Sequence, residues 1–536
     1  MVEGSSFPER VCVACKAGRE DDHRAGDAVV PATADDSSLA KRTNNILDTP
    51  LVDGTVSKPE RVPDIALDAA ETTSEADPLF RALNSSEEAW LAQSSNICLI
   101  SRLSSAAARA ATDAALASAL AVTRTQQPYL NVCIDAQTKR FVRITQHADH
   151  TSEDLNFVVE SDNGSDGLGA AARACGRAQL AVGIDRGVSL ARCHVGRHAE
   201  SGATYLVLVC DHLAMDARSL VIWAEDLTAA LVNGEESNDD INNAETMLPF
   251  VDWTERIPPV TLPPFAGQAS VMLAATKAVA SESLATAPPV VGLVHCIAPA
   301  AFEKLRIASK ARGATLNAPL MTAFLAAVVD AARGQDPSLE AAPQHVRSVC
   351  AVDLRCRLTP PLDVRYMNNS ASVVPVSATF RAATAAVAEK EKKDDLWKVA
   401  QEAQAGLMEA VAGGEQFRLQ DITRRGAFAE MGPIFAIPCL WSNVGHVGSV
   451  VTMKGESESG RAESEEVSAL VSAEVLVAGA GSNPVISGHV VEAGGALALT
   501  VTYAPAFHDA ATAELIVQRF EHHVCVLGNS TGTEGK

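Results

Sequence analysis

The chain has 536 residues, 47% of them hydrophobic, so it can bury large cores, and its length predicts two or three domains. The 66 acidic and 44 basic side chains give a net charge of -22, which argues against broad binding to nucleic acid or anionic membranes and requires a local basic patch for any anionic cofactor. No apolar run approaches the roughly 20 residues that span a bilayer, and the N-terminus lacks the apolar core of a signal peptide, which predicts a soluble cytoplasmic protein.

The cysteines predict no metal site. Most of the 12 lie in apolar stretches, where a reduced cysteine behaves as a small hydrophobe, and this pattern is typical of a reducing compartment. Cys12 and Cys15 form one C-x-x-C pair with only His23 nearby, whereas a zinc site needs a second pair or two histidines at suitable spacing.

The first half of the chain alternates strand and helix patterns after a polar start. Residues 1–78 mix polar residues and proline without periodicity and predict a disordered leader. A helix follows, with Ser85 or Ser86 as its N-cap. The next predicted elements are a strand at 96–103, one Ala-rich helix at 105–127, a strand at 129–134, a hairpin of strands at 188–197 and 203–210, and a helix at 218–232.

A polar and then Pro-rich segment, residues 232–265, marks a crossover to a second half that alternates in the same way. Thr315 or Asn317 is expected to cap a long apolar helix there. The other predicted elements are strands at 288–298, 345–358 and 370–378, helices at 300–312 and 390–411, a strand at 434–453 broken by Ser442–Gly445, an acidic loop at 455–466, strands at 468–481 and 495–505, and a helix at 510–527. The alternation predicts an α/β fold with two layered lobes facing a cleft.

Three polar residues stand at the end of the buried strand at 203–210. Asp211, His212 and Asp216 lie in the sequence DHLAMDA, where polar groups are costly unless they have partners. One interpretation is a turn with a helix cap. The other is a catalytic histidine with a supporting aspartate.

Four segments resemble the CoA-dependent acyltransferases with an H-x-x-x-D motif, which include BAHD acyltransferases, alcohol O-acetyltransferases and the condensation domains of nonribosomal peptide synthetases. HLAMD, residues 212–216, is similar to the motif itself. Residues 351–369 are similar to the D-x-R-x-R-L-x-P-P-L segment of BAHD enzymes, and residues 313–327 resemble the helix that opens the second half. CLWSNVG, residues 439–445, resembles the Ser-Asn-x-Gly stretch of alcohol acetyltransferases. The segments occur in the family's order and span about residues 80–527.

The departures from the family's patterns favour its alcohol-acetyltransferase branch. Asp211 stands where condensation domains have a first histidine, and Ala217 where they have a glycine. Asn368 replaces the glycine of the BAHD Gly-Asn pair, and no D-F-G-W-G follows. The resemblance implies two lobes like chloramphenicol acetyltransferase, with mixed sheets, helices and a tunnel between them, at residues 79–265 and 266–536. It also implies acyl-CoA as co-substrate and an alcohol or amine as acceptor.

The resemblance and the chemistry together suggest roles for individual residues. A neutral imidazole has a pKa near the working pH, so His212 suits the general base that takes the acceptor's proton. Asp211 points to the opposite face of the strand from His212 and is not expected to orient it. By the match to the D-x-R segment, Asp216 is expected to form a buried pair with Arg355, with Arg357 as the alternative.

Further candidates line the expected tunnel. Ser442 and Asn443 could donate to the oxyanion and Gly445 could let backbone approach closely, or the three could form a strand-breaking turn. Asn369 is a tunnel or strand-end residue. Lys304, Lys310 and Arg312 are candidates for the CoA phosphates, since an acidic protein needs local cations there.

Three alternatives remain from the sequence. The first is a condensation-type domain that takes its acyl group from a carrier protein, and the second is an inactive binding scaffold of the same fold. In the third, His194 and His198 with Asp211 ligate a metal, although we expect the two histidines to face solvent across a turn.

Overall fold

The computed structural model of the protein describes a large part of the chain after residue 80. The predicted leader, Cys12 and Cys15, and most of the predicted crossover lie outside the described residues, all of which belong to one compact unit, residues 74–536. The described residues are 81–91, 95–144, 156–158, 164–198, 201–233, 250–260, 262, 270, 290–382, 389–427, 437–448, 450–456, 462–478 and 485–529.

Strands and helices alternate along these residues. The strands are β1 Asn96–Leu103, β2 Val132–Asp135, β3 Arg140–Arg143, β4 Asn156–Val158, β5 Ala191–Arg197, β6 Thr204–Asp211, β7 Val291–Ile297, β8 Gln344–Asp353, β9 Ala371–Phe380, β10 Cys439–Val447, β11 Val450–Glu456, β12 Ala462–Ser468, β13 Leu470–Ala478, β14 Ile486–Ala493 and β15 Ala496–Tyr503. The helices are α1 Ser85–Leu91, α2 Ser105–Ala110, α3 Asp113–Gln126, α4 Gly164–Val182, α5 Ala217–Asn233, α6 Pro299–Ala311, α7 Asn317–Gln335, α8 Glu389–Ala412, α9 Arg418–Arg424 and α10 Ala510–Gly528. None of these helices is both long and apolar enough to cross a membrane.

The N-terminal lobe is built on a five-stranded sheet with the order β13-β1-β6-β5-β4. The pairs are antiparallel except β4 with β5, which is parallel. Side chains alternate between its two faces. Leu99 and Leu208 pack in one core with helices α3 and α5, whereas Cys98 and Val209 pack on the other face with α4.

The C-terminal lobe is built on a six-stranded mixed sheet with the order β7-β15-β14-β10-β8-β9. One face is covered by α6, α7, α8 and α10, which form a core with Val490 and Leu499. On the other face, Val491 and Ala498 join the same core as Leu213 of the N-terminal lobe, so this face of the sheet is the interlobe face. The two-lobed α/β fold predicted from the sequence is confirmed.

One strand crosses between the halves of the sequence. β13 follows β12 in the chain but pairs antiparallel with β1 throughout its length, from Asn96 opposite Ala478 to Leu103 opposite Leu470. It therefore forms the edge of the N-terminal sheet while packing beside β14 and β15. The two lobes share this strand.

Several helix ends differ from the predictions. The cap of α1 is Asn84, not Ser85 or Ser86, because Asn84 Oδ1 accepts from the Glu87 N–H while Glu87 Oε2 accepts from the Asn84 N–H, each at 2.9 Å. The predicted helix at 105–127 is two helices, since Thr112 caps α3 by accepting from the Ala115 N–H. Neither Thr315 nor Asn317 caps α7, which has no side-chain cap, and the Thr315 N–H and hydroxyl donate to Gln404 Oε1 instead.

Three predictions in the second half are also wrong in detail. β10 continues through Ser442–Gly445, and the strand absorbs the irregularity as a bulge between Asn443 and Gly445. Most of the predicted acidic loop at 455–466 belongs to the hairpin of β11 and β12. The prediction also missed β14, whose short alternating pattern around Gly488 is a weak strand signal.

Candidate active site

His212 lies directly after β6, at the interface of the two lobes. Its N–H donates to the Ser95 carbonyl at 2.9 Å. Its ring stacks on Trp90 of α1, with 4.5 Å between centroids and 21° between planes. The residue is partly exposed, but Nδ1 is buried and has no hydrogen-bond partner within the described residues. This leaves Nε2 as the nitrogen available to a substrate.

Asn369, in the second half of the chain, also binds the backbone of His212. The Asn369 side-chain amide donates to the His212 carbonyl, and its Oδ1 accepts from the Ala371 N–H at 3.4 Å, at the start of β9. Asn369 is buried. It is therefore a strand-end residue that fixes the backbone of His212 across the lobe interface.

Asp216 and Arg355 form a buried bidentate pair. Arg355 Nη1 lies 3.0 Å from Asp216 Oδ2, and Nη2 lies 3.0 Å from Oδ1. Asp216 also accepts from the Ser219 N–H at 2.8 Å, so it caps α5. Arg355 donates further to the backbone carbonyls of Tyr366 and Asn368. Each charge therefore has several partners, which burial requires.

The charges of this pair are stabilised in the fold. Burial alone would raise the pKa of Asp216, but the charge and hydrogen bonds of Arg355 outweigh it and hold the pKa below its usual value. For Arg355, burial opposes the charge, and Asp216 and Asp353 raise its pKa above the ordinary value. The pair lies one turn from His212 and joins the start of α5 to the segment before β9.

Burial lowers the pKa of His212 below that of a free imidazole, against the opposing effects of its own backbone carbonyl, Asp216 and Asp211. The ring is therefore neutral at neutral pH. A neutral imidazole has a free electron pair and can accept a proton from a bound hydroxyl or amine.

The predicted tunnel residues lie along β10. Ser442 is partly exposed, and its hydroxyl forms no hydrogen bond within the part of the chain that the structure describes. Asn443 Oδ1 accepts from the Gly445 N–H at 3.0 Å, which closes the bulge. Gly445 has a φ of 91°, a left-handed conformation that favours glycine. Asn443 and Gly445 thus shape the strand beside Ser442.

His489 is a candidate site residue that the sequence analysis missed. It pairs with Ser442 of β10 and Thr500 of β15, so the three share one face of the sheet. Val491, on the same side of β14, packs in the interlobe core, so this is the interlobe face. His489 is 7% exposed, and its Nε2 has no hydrogen-bond partner among the described residues. Burial, and then the nearby His212, lower its pKa to about 4.

This buried histidine predicts a loss of stability at acid pH. The folded state keeps His489 neutral down to about pH 4, whereas the unfolded chain takes up the proton near pH 6.5, so its stabilising effect is present above pH 6.5 and lost as pH falls. His489→Gln removes this effect. Between pH 7 and pH 4.5 the variant should lose roughly 2–3 kcal/mol less free energy of unfolding than the wild type. Urea denaturation at both pH values measures this, and equal losses would contradict the burial of a neutral ring.

The candidate cations for CoA lie apart from His212. Lys304 and Lys310 are exposed on α6, which packs against α10 on the helical face of the C-terminal sheet. Arg312 lies 3.7 Å from Asp394 and stacks over the Trp397 ring. The structure does not bring these three residues together with the site at the interlobe face. Arg357, the alternative partner for Asp216, is exposed.

The histidines of the hairpin do not face solvent, contrary to the prediction. His194 and His198 are both 6% exposed, and His198 Nδ1 accepts from the Ser201 N–H. Asp211 pairs with Arg186 instead of joining them. Among the described residues, no three His, Cys, Asp or Glu side chains gather so as to hold a metal ion.

The fold, but not the sequence, matches known proteins. No family model matches the chain, and no curated protein matches it. Its structure is similar to that of TRI3 trichothecene 15-O-acetyltransferase from Fusarium sporotrichioides, with a TM-score of 0.60 and 10% identity over 84% of this chain and 95% of that one. It is also similar to the first condensation domain of the calcium-dependent antibiotic synthetase, with a TM-score of 0.52 and 15% identity over 84% and 96%. The chain therefore has the fold shared by acyltransferases and condensation domains.

Proposed function

We propose that the protein is an acyltransferase that moves an acyl group from acyl-CoA to an alcohol or amine, with His212 as general base. The observation that carries the proposal is a neutral histidine at the interface of two such lobes, fixed through its backbone from both sides. The similarity of the fold to an acetyltransferase structure supports it.

The chemistry needs one base and one site for the oxyanion. Nε2 of His212 takes the proton of the acceptor as its oxygen or nitrogen attacks the thioester carbonyl. The tetrahedral intermediate then collapses, the carbon–sulfur bond breaks, and the imidazolium returns the proton to the CoA thiolate. No metal is required for this sequence of steps.

Ser442 is the best-supported donor to the oxyanion. Its hydroxyl has no protein partner among the described residues, and it shares the interlobe face with His489, which is close enough to His212 for their charges to interact. A hydroxyl aimed at the developing oxyanion stabilises the transition state more than the ground state. Asn443 supports the same site through its bulge with Gly445.

A carrier-protein donor is the second candidate, favoured by the similarity to a condensation domain. The two are separated by offering the protein acetyl-CoA and longer acyl-CoAs, or the same acyl groups on a phosphopantetheine carrier protein, with pooled alcohols and amines. We expect acylated products from the CoA thioesters by mass spectrometry. Products from the carrier alone would establish the condensation-type reaction, and no product from either would leave a binding scaffold.

We propose Lys304 and Lys310 as contacts for the CoA phosphates, because both are exposed cations with no ion pair among the described residues. They lie on the helical face of the C-terminal sheet, away from His212, so the pantetheine arm that separates the phosphates from the thioester would have to span this separation. Reversing both charges to glutamate should raise KM for acyl-CoA and leave KM for the acceptor unchanged. The control is the charge reversal Lys392→Glu on α8, at an exposed lysine, which should change neither constant. Unchanged acyl-CoA dependence in the Lys304/Lys310 variant would move the phosphate site elsewhere.

A further inference from the structure

Asp211, the departure from the condensation-domain motif, has a specific partner. Its carboxylate is buried and is bound by Arg186, with Nε 2.6 Å from Oδ2 and Nη2 3.2 Å from Oδ1. Asp211 Oδ1 also accepts from the Leu213 N–H at 2.9 Å. Asp211 is the last residue of β6, and no hydrogen bond among the described residues joins its carboxylate to the imidazole that follows it.

Arg186 connects this carboxylate to α1. Its Nη1 donates to the Leu91 carbonyl at 2.7 Å, at the last residue of the helix. At the other end of α1, Glu87 is bound by Arg81 through two contacts of 2.7 Å and joins the Asn84 cap. A helix of seven residues is not stable by itself. These contacts therefore set its position.

Trp90, one residue before the tethered Leu91, covers a face of the His212 ring. The centroid distance of 4.5 Å and the interplanar angle of 21° fit an offset aromatic stack. These contacts form a closed loop. Asp211, next to His212, binds Arg186, which binds the Leu91 carbonyl. Trp90, next to Leu91, stacks on His212.

We propose that Trp90 positions the His212 imidazole and that Asp211, acting through Arg186, holds α1 so that Trp90 stays against it. The inference rests on the proposed function, in which His212 is the base. Trp90 fixes the plane of the ring and covers one face, so a substrate meets Nε2 in one orientation. The aspartate at the first position of the motif thereby supports the base without contacting it.

The charges around His212 are few within the described residues. Asp211 is paired with Arg186 and Asp216 with Arg355, and His489 is the nearby imidazole. Because burial is the largest cause of the lowered pKa of His212, uncovering one face should raise this pKa. The acid limb of kcat/KM should then move to higher pH.

The kinetic test compares Trp90→Ala with Trp90→Phe. In the alanine variant kcat should fall by about 10- to 100-fold, the scale of a small misplacement of a catalytic group, with little change in KM for acyl-CoA. The phenylalanine variant keeps an aromatic face and should stay within about threefold of the wild type, with its pH profile unchanged. A folded Trp90→Ala protein with wild-type kcat and pH profile would overturn the proposal.

The link through Asp211 is tested by a double variant. Asp211→Asn should lower kcat, and Asp211→Asn combined with Trp90→Ala should be no slower than Trp90→Ala alone, because both act on the same contact. Additive losses would show that Asp211 acts by another route. The matched control is Glu474→Gln, which weakens a similar pair with Arg173, at 2.8 Å, away from α1. It should lower stability and leave kcat unchanged.

A readout without turnover separates this inference from the proposed function. A protonated imidazole quenches the fluorescence of an indole stacked on it. The fluorescence of Trp90, measured as the difference between the wild type and Trp90→Phe, should therefore fall as the pH drops through the pKa of His212. His212→Gln should abolish this pH dependence. If the quenching is present but no acyl acceptor is found, the proposed function fails and the stack remains. If the emission of Trp90 is independent of pH in the wild type, the stack is overturned whatever the activity.

Discussion

The variant His212→Ala is expected to lower turnover by about 10²–10⁴-fold, the usual effect of losing a general base. The protein should still fold, because His212 is partly exposed and lies outside the main cores. The lost stack on Trp90 should cost about 1 kcal/mol of stability. Steady-state kinetics on the folded protein measures the loss of turnover, and urea denaturation followed by circular dichroism measures the change in stability.

The test of His212 as the base also includes the pH dependence of kcat/KM and a control variant. Since burial lowers the pKa of His212, the acid limb of kcat/KM in the wild type should lie below the pH of about 6.5 expected for a free imidazole. The control is His345→Ala. It removes a histidine of β8 that is hydrogen-bonded to Thr379 of β9, and it should leave turnover unchanged. Near-normal turnover by folded His212→Ala protein would remove the catalytic role and favour the binding scaffold.

The second large effect is structural. Asp216→Ala is expected to destabilise the protein by about 3–5 kcal/mol, because it leaves the buried guanidinium of Arg355 without its main counter-charge. Activity should fall along with the amount of folded protein, while kcat per folded molecule falls less. Urea denaturation gives the free energy of unfolding.

The pairing has its own test in a double-variant cycle. Asp216→Ala with Arg355→Ala should cost less than the sum of the two single changes, since no unpaired buried charge remains. Asp353 also binds Arg355 at 3.0 Å, but its side chain is 44% exposed. Asp353→Ala should therefore cost only about 0–1 kcal/mol. Two results would contradict the role of Asp216 as the main counter-charge of Arg355. One is additive losses of unfolding free energy in the cycle, and the other is an equally large loss in Asp353→Ala.

Short patterns in the sequence identified candidate site residues, and the structure pairs two of them, Asp216 and Arg355. His212 and Asp216 lie in one turn after a clearly apolar strand, and the D-x-R segment drew attention to Arg355. Trp90 and His489 were missed because their importance depends on contacts with residues far away in the chain. No local spacing marks a tryptophan in a short helix as the neighbour of a histidine after β6.

The elements of the fold were predictable where burial gives a clear period. β1, β6 and α5 have long apolar or alternating patterns and lie close to their predicted positions. The ends of the helices were less predictable, because several nearby residues can serve as the cap. Asn84, and not one of the two serines, caps α1. Thr112 caps α3 within an Ala-rich stretch whose helix propensity is uniform, so two helices form there. Ser442–Gly445 has the composition of a turn, but pairing with β14 keeps it in a strand.

The shared strand β13 has a consequence for how the protein is made. During synthesis, the N-terminal sheet lacks its edge until Leu470–Ala478 has left the ribosome, and until then β1 presents unpaired backbone groups beside an apolar surface. Such a non-local pairing slows folding and lengthens the time in which the nascent chain can aggregate. The five-stranded N-terminal sheet can therefore be completed only after most of the C-terminal half has been made.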